Sequence, residues 1–224
     1  MRVKVGLAFF VTLAIAPTLG RFPNVDPGSA LGLLIVAQQI VIGLAMGLAM
    51  RIIFSAVEMA GNLIGLQMGL GFATLFDPQN SAQTPVMGSF IGMLAILIFL
   101  SLDGHALMLE TLAVSFRELP ISAQPLAAGG FKLLLNWGGE IFLAGVLLSL
   151  PVIAALLVTN ISLGIMTRAA PQLNIFSVGF PITLMAGFLI LYLLLPYFIP
   201  LLSRFMHDAL AVMLQVARLG LTGS

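Results

Sequence analysis

Residues 31–50 read LGLLIVAQQIVIGLAMGLAM, twenty residues without a charge. At about 1.5 Å per residue, a helix of that length spans about 30 Å, the thickness of a bilayer's hydrocarbon core. The run does not alternate apolar and polar positions, as the strands of about 9–11 residues in a membrane β-barrel do. It predicts a membrane helix, and the whole chain has the matching composition. Of 224 residues, 60% are hydrophobic and 8% charged, with a mean hydropathy of +1.16, whereas a soluble domain carries roughly 25% charged residues. The expected fold class is all-α: a polytopic helical membrane protein with broken helices and helical hairpins, forming one domain over 1–224.

On the N-terminal side, MRVKVGLAFFVTLAIAPTLG (1–20) has the short basic start and apolar run of a signal peptide. Apolar segments continue after it, which favours a retained helix from Val3 to Ala16, ended by Pro17. GRFPNVDPGS (20–29) is a connection, with Ser29 placed to cap the next helix. From Leu31 to about Gly65 the pattern predicts one long helix or two abutting ones. Arg51 and Glu58 lie seven positions apart, almost two turns, and so share a face. Gly43 and Gly47 form a GxxxG spacing, and Gly61, Gly65 and Gly69 repeat at four. Small residues at that spacing let membrane helices approach closely, where lipid supplies little hydrophobic drive for association.

A polar interval, QMGLGFATLFDPQNSAQTPV (67–86), follows. The apolar run from Val86 to Leu102 is then interrupted by Asp103, Gly104 and His105, the pattern of a hairpin apex or a bent helix. Another long segment, 131–167, carries Pro151. The last, from about Asn174, carries Pro181, Pro196 and Pro200. These prolines predict a membrane helix, a break around 196–200 and an amphipathic terminal helix. Four to six helical elements fit the chain.

The chemistry-bearing residues are sparse. Nine Lys and Arg against eight Asp and Glu leave a net charge of +1, with no basic tract to neutralise phosphates, so nucleic-acid binding is excluded. The lack of cysteine rules out disulfides, haem attachment and thiolate metal sites. His105 and His207 are isolated, and neither a zinc-protease motif, a P-loop, a dinucleotide fingerprint nor a nucleophile elbow occurs. No enzyme, no cofactor and no metal is expected. Charges near membrane depth suggest transport by default; Arg51, Glu58, Glu110 and Glu140 are the candidates, though all lie near the ends of apolar runs. A small secondary transporter using Glu58 is therefore one alternative. Arg168, in the turn signal MTRAAPQLN, suits a topology or subunit-contact role.

Five stretches carry a family resemblance: RVKVGLAFFVTLAIAP (2–17), QQIVIGLAMG (38–47), GNLIGLQMGLGFATLFDPQN (61–80), FLSLDGHALML (99–109) and LPVIAALLVTNISLGIMTRAAPQLNIFSVGFPITLMAG (150–187). The chain resembles the FliR family of flagellar export-gate proteins, related to the SctT component of virulence type III secretion. The resemblance implies a non-enzymatic structural and gating subunit of the flagellar export apparatus in the bacterial inner membrane, at the flagellar basal body. It implies assembly with FliP-like and FliQ-like subunits, further contact with FlhB-like and FlhA-like proteins, and a passage for unfolded rod, hook and filament subunits. Family members carry an additional helical segment before the part resembling Arg2–Pro17, so an N-terminally truncated chain is expected. The corresponding virulence component is the nearest alternative. By the same resemblance Gln67, Met68, Gly69, Gly71, Phe72 and Phe76 are gate or plug candidates: glycines permit bending, and Met68, Phe72 and Phe76 offer a soft apolar constriction. Gly43, Gly47, Gly61 and Gly65 are the close-packing candidates. Arg51, Glu58 and Arg168 are the charged structural or subunit-contact candidates.

Overall fold

A computed structural model describes residues 2–18, 25–72, 85–118, 121, 129–170 and 175–219. Among these, seven α-helices follow in order: α1 (Arg2–Ile15), α2 (Ala30–Gln67), α3 (Val86–Ser101), α4 (Gly104–Glu118), α5 (Gly129–Gly138), α6 (Glu140–Ala169) and α7 (Ile175–Leu219). Short 3-10 turns occupy Ala16–Thr18 and Leu70–Phe72, and no strand occurs among the described residues. Three helical stretches, Ala30–Gln67, Gly129–Ala169 and Val178–Arg218, are long and apolar enough to cross a membrane. The bent pair Val86–Ser101 and Gly104–Arg117 makes a fourth if counted as one span. The all-α membrane class expected from composition is the class observed.

Local chemistry explains most of the boundaries. Ser29 caps α2: its Oγ accepts the Gly32 N–H at 3.1 Å, three residues into the helix. The Ser29 hydroxyl donates in turn to the Asp26 carbonyl at 2.6 Å. The α3–α4 break falls at the expected place. Asp103 adopts a left-handed φ of 54°, which its short polar side chain tolerates better than most, and the chain bends by 68° there.

Of the two alternatives for the 31–65 region the structure has the single helix, because nothing in it, Arg51 and Glu58 included, removes a backbone hydrogen bond. Two expectations are corrected. The 131–167 segment is two helices, parted by a single turn residue, Gly139, which follows Gly138; paired glycines give this point the weakest helical preference. This extra break takes the count past six. The break around 196–200 is absent, and α7 runs unbroken through Pro181, Pro196 and Pro200. A proline forfeits one backbone bond and crowds the carbonyl four residues earlier, and a long membrane helix absorbs both by local adjustment. Pro196 and Pro200 lie one turn apart, so their lost bonds fall on one side of the helix while the other side stays bonded.

The described chain divides into two compact units. The first comprises Met1–Met50, Asp103–Gly138 and Asp208–Ser224; the second comprises Arg51–Leu102 and Gly139–His207. In the first unit Ala45, Met46 and Ala49 of α2, Leu134 of α5 and Met213 and Val216 of α7 are buried. The Trp137 indole N–H donates to the Ala49 carbonyl at 2.9 Å, fastening the end of α5 to α2. The second unit buries a stripe along α6, Ala144, Gly145, Leu148, Ser149, Val152 and Leu156, at helical period. Phe54 and Phe99 meet edge to face there, with centroids 5.6 Å apart. Large apolar side chains also point outward, among them Leu44, Met93, Phe142 and Met185, as a surface facing lipid or apolar protein requires.

Candidate functional site: a glycine crossing and the end of α2

The second unit is organised around the last five turns of α2. A methyl group built on Gly61 would lie 2.7 Å from the Gly88 Cα and 2.7 Å from the Met87 carbonyl oxygen. Both are backbone atoms, so no rotamer change can make room. One turn on, a methyl on Gly65 would lie 3.1 Å from the Met87 Cβ; one turn back, Gly92 faces the Glu58 side chain. A methyl on Gly88 would strike the Asn62 side-chain oxygen. As the α2 numbers rise the α3 numbers fall, so α2 and α3 form an antiparallel helical hairpin. Its contact is GxxxG against GxxxG. From α6, Gly145 approaches the same helix: a methyl there would lie 3.2 Å from the Ala56 carbonyl oxygen and 3.2 Å from the Met59 sulfur.

The end of α2 is equally defined. Gly69 takes a φ of 85°, accessible to glycine at no steric cost. Its N–H bonds the Leu66 carbonyl at 3.0 Å, while the Met68 N–H still bonds Ile64 at 2.9 Å. This is the left-handed glycine stop that closes many helices, and it sends the chain into the Leu70–Phe72 turn. Met68 has no exposed surface. Its side chain lies over Gly187 of α7, where a methyl would fall 2.6 Å from both its Cγ and its Cε. The Thr183 hydroxyl, one turn away on α7, lies 3.3 Å from the Met68 carbonyl and 2.9 Å from that of Phe180.

Gln67 is half-buried in the last turn of α2, and a methyl on Gly71 would lie 3.1 Å from a Leu66 methyl. The backbone of Phe72 ends the 3-10 turn; Phe76 lies outside the described residues. Gly43 and Gly47, in the first unit, are exposed, and a methyl at either meets nothing within 4 Å. Arg51 and Glu58 do share a face: Nη2 and Oε2 lie 3.7 Å apart, with the side chains 65% and 45% exposed. A pair this open contributes little to stability, about 0–1 kcal/mol in water. Arg168 is exposed in the last turn of α6, where a cation complements the helix dipole.

Residues that sequence reasoning passed over are Gly88, Gly92, Gly145, Thr183 and Gly187. Gly88 and Gly92 repeat the four-residue spacing that singled out Gly61 and Gly65, and Thr183 and Gly187 share it. That signal was legible; the partner of each was not. The second unit also carries an apolar groove of about 280 Å³, lined by residues such as Val57, Phe90, Leu148, Phe188 and Leu202, with Tyr192. Apart from that tyrosine, nothing in its lining orients a polar substrate, as a small-molecule site requires.

These features define a polytopic helical membrane subunit built on backbone-close helix contacts. The sequence matches the family described as bacterial export proteins, family 1, over residues 1–209. It is 50% identical over 200 residues to the flagellar biosynthetic protein FliR of Pectobacterium carotovorum, covering 89% of this chain and 76% of that one. Identity to the FliR of Escherichia coli K12 is 45% over 199 residues, with the same coverage of each chain. The FliR of Bacillus subtilis is 31% identical over 191 residues, covering 84% of this chain and 73% of that one. The chain belongs to the FliR family of flagellar export proteins. It is a non-catalytic, multi-pass subunit of the inner membrane at the flagellar basal body, and it forms part of the passage of the flagellar type III export apparatus. Its partners are other components of the export gate.

Proposed function

We propose that the end of α2 and the turn after it narrow the export passage, with Phe72 and Phe76 as the constricting side chains. The observation that carries this reading is the left-handed stop at Gly69, which ends an apolar helix abruptly and sets an apolar turn at Leu70–Phe72 directly behind it. Aromatic side chains in a passage obstruct water and ions while yielding to an unfolded chain, because apolar contacts are non-directional and individually weak. The cargo on this reading is unfolded rod, hook and filament protein. FliP-like and FliQ-like subunits cover the outward apolar faces, and FlhB-like and FlhA-like proteins join them. Gly43 and Gly47, open among the described residues, and the exposed Arg51, Glu58 and Arg168 are assigned to contacts with those subunits.

Replacing Phe72 and Phe76 together by alanine in a complete, assembled complex tests the constriction. Ion leakage is expected to rise several-fold over the wild-type complex at an unchanged amount of assembled gate. Normal export with no added leak would remove the constricting role.

A further inference from the structure

The reading above needs the Leu70–Phe72 turn to be held in place, and the fold supplies a specific holder. Met68 is the last buried residue before the Gly69 stop, and two α7 residues one turn apart grip it. Gly187 leaves the space that its thioether fills, and the Thr183 hydroxyl reaches its carbonyl. We propose that Met68, Gly187 and Thr183 form an anchor by which α7 fixes the end of α2, and so positions the constricting turn. This rests on the gate reading, and it gives Met68 a positioning role in place of a lining one. A side chain with no exposed surface has no face to offer a passage. The anchor also explains the glycine at 187: the Met68 Cγ is near the root of its side chain, so any larger residue at 187 displaces the root and not merely the tip. Beyond Gly69 the backbone has left the helix, and rigidity in the turn must come from its foot. Thr183 and Gly187 lie on the longest helix of the described chain, so the turn is tied through Met68 to that helix.

The chain contains no cysteine, which makes the anchor testable with a single pair of thiols. A Cβ at 187 lies 2.6 Å from the Met68 Cγ. One further C–C bond of about 1.5 Å leaves the two Cβ atoms no more than about 4.1 Å apart, under the upper limit of about 4.5 Å for a disulfide. In the complete export complex, the double variant Met68→Cys/Gly187→Cys is assembled, then oxidised with copper phenanthroline or reduced with dithiothreitol. Ion leak and export are measured in both states, with assembled complex quantified by copurification. Reduced, the pair lacks the thioether that fills the contact, and leak is expected to rise several-fold. Oxidised, the covalent link replaces the contact, and leak is expected to fall back towards wild type. A merely structural contribution to folding would not be toggled by redox state in a complex already assembled. Failure of the disulfide to form contradicts the geometry. Equal leak in both states with the disulfide formed overturns the anchor. If the complex does not assemble with these cysteines, Thr183→Val replaces them, and a wild-type leak from that variant overturns the anchor. The Phe72→Ala/Phe76→Ala complex separates the two ideas: if it leaks while the cysteine complex is tight in both states, the anchor falls and the constriction stands. If neither leaks, both fall.

Discussion

Replacing Gly61 by leucine is expected to abolish recovery of the folded subunit in its complex. The atoms in the way are the Gly88 Cα and the Met87 carbonyl oxygen, each 2.7 Å from the position of a first side-chain carbon. Overpacking an ordinary core costs about 1–3 kcal/mol, because neighbouring side chains can move aside. Here two backbones meet, and the only relief is to separate α2 from α3. Separation forfeits the entire close contact from Glu58 to Gly65, and in lipid that contact is the main source of association. A cost above about 3 kcal/mol is therefore expected, beyond the top of the overpacking range. The check is the amount of intact complex that copurifies from membranes. Gly164→Ala is the control: a methyl there meets nothing within 4 Å among the described residues and, as an exposed helical glycine of α6, the position gains about 0.5–1 kcal/mol of helix preference. If Gly61→Leu copurifies as well as wild type, the α2–α3 crossing is not the close contact described.

The second large effect is expected from Leu156→Ala in α6. Leu156 is fully buried, at the end of the stripe that starts at Ala144. In soluble proteins such a truncation costs about 2–5 kcal/mol, combining lost transfer from water with the cavity left behind. For a membrane helix the transfer part largely vanishes, since lipid tails are as apolar as the core. The cavity part remains, because lost dispersion contacts are not replaced. The expected destabilisation is therefore at the low end, about 2 kcal/mol, measurable as an earlier transition when the purified complex is titrated with denaturing detergent. Leu157→Ala, at a position 51% exposed, is expected to shift it by less than about 0.5 kcal/mol. Equal shifts for the two would mean that the α6 stripe does not face the core.

The class and the helix positions were legible because they depend on hydropathy and on local chemistry. Twenty uncharged residues, a serine before a helix and an Asp-Gly-His interruption each act through their own neighbourhood. The run of α7 through Pro196 and Pro200 was not legible, because a proline's consequence depends on what bends around it. The site shows the same division. Gly43–Gly47 and Gly61–Gly65 carry the same spacing, yet among the described residues only the second pair meets another helix. Spacing tells that a helix can be approached closely; it does not tell by what. The Arg51–Glu58 pairing was readable from the seven-residue interval on one helix. The grip of Gly187 and Thr183 on Met68 was not, since it joins residues more than a hundred positions apart that share no pattern.

The most direct test of the central claim is a photocrosslinking residue placed at Phe72 in the complete apparatus while a stalled export substrate occupies it. An adduct with the translocating chain, lost when export is not started, is the expected result. Adducts confined to lipid or to neighbouring gate subunits, with the substrate demonstrably in the passage, would contradict it.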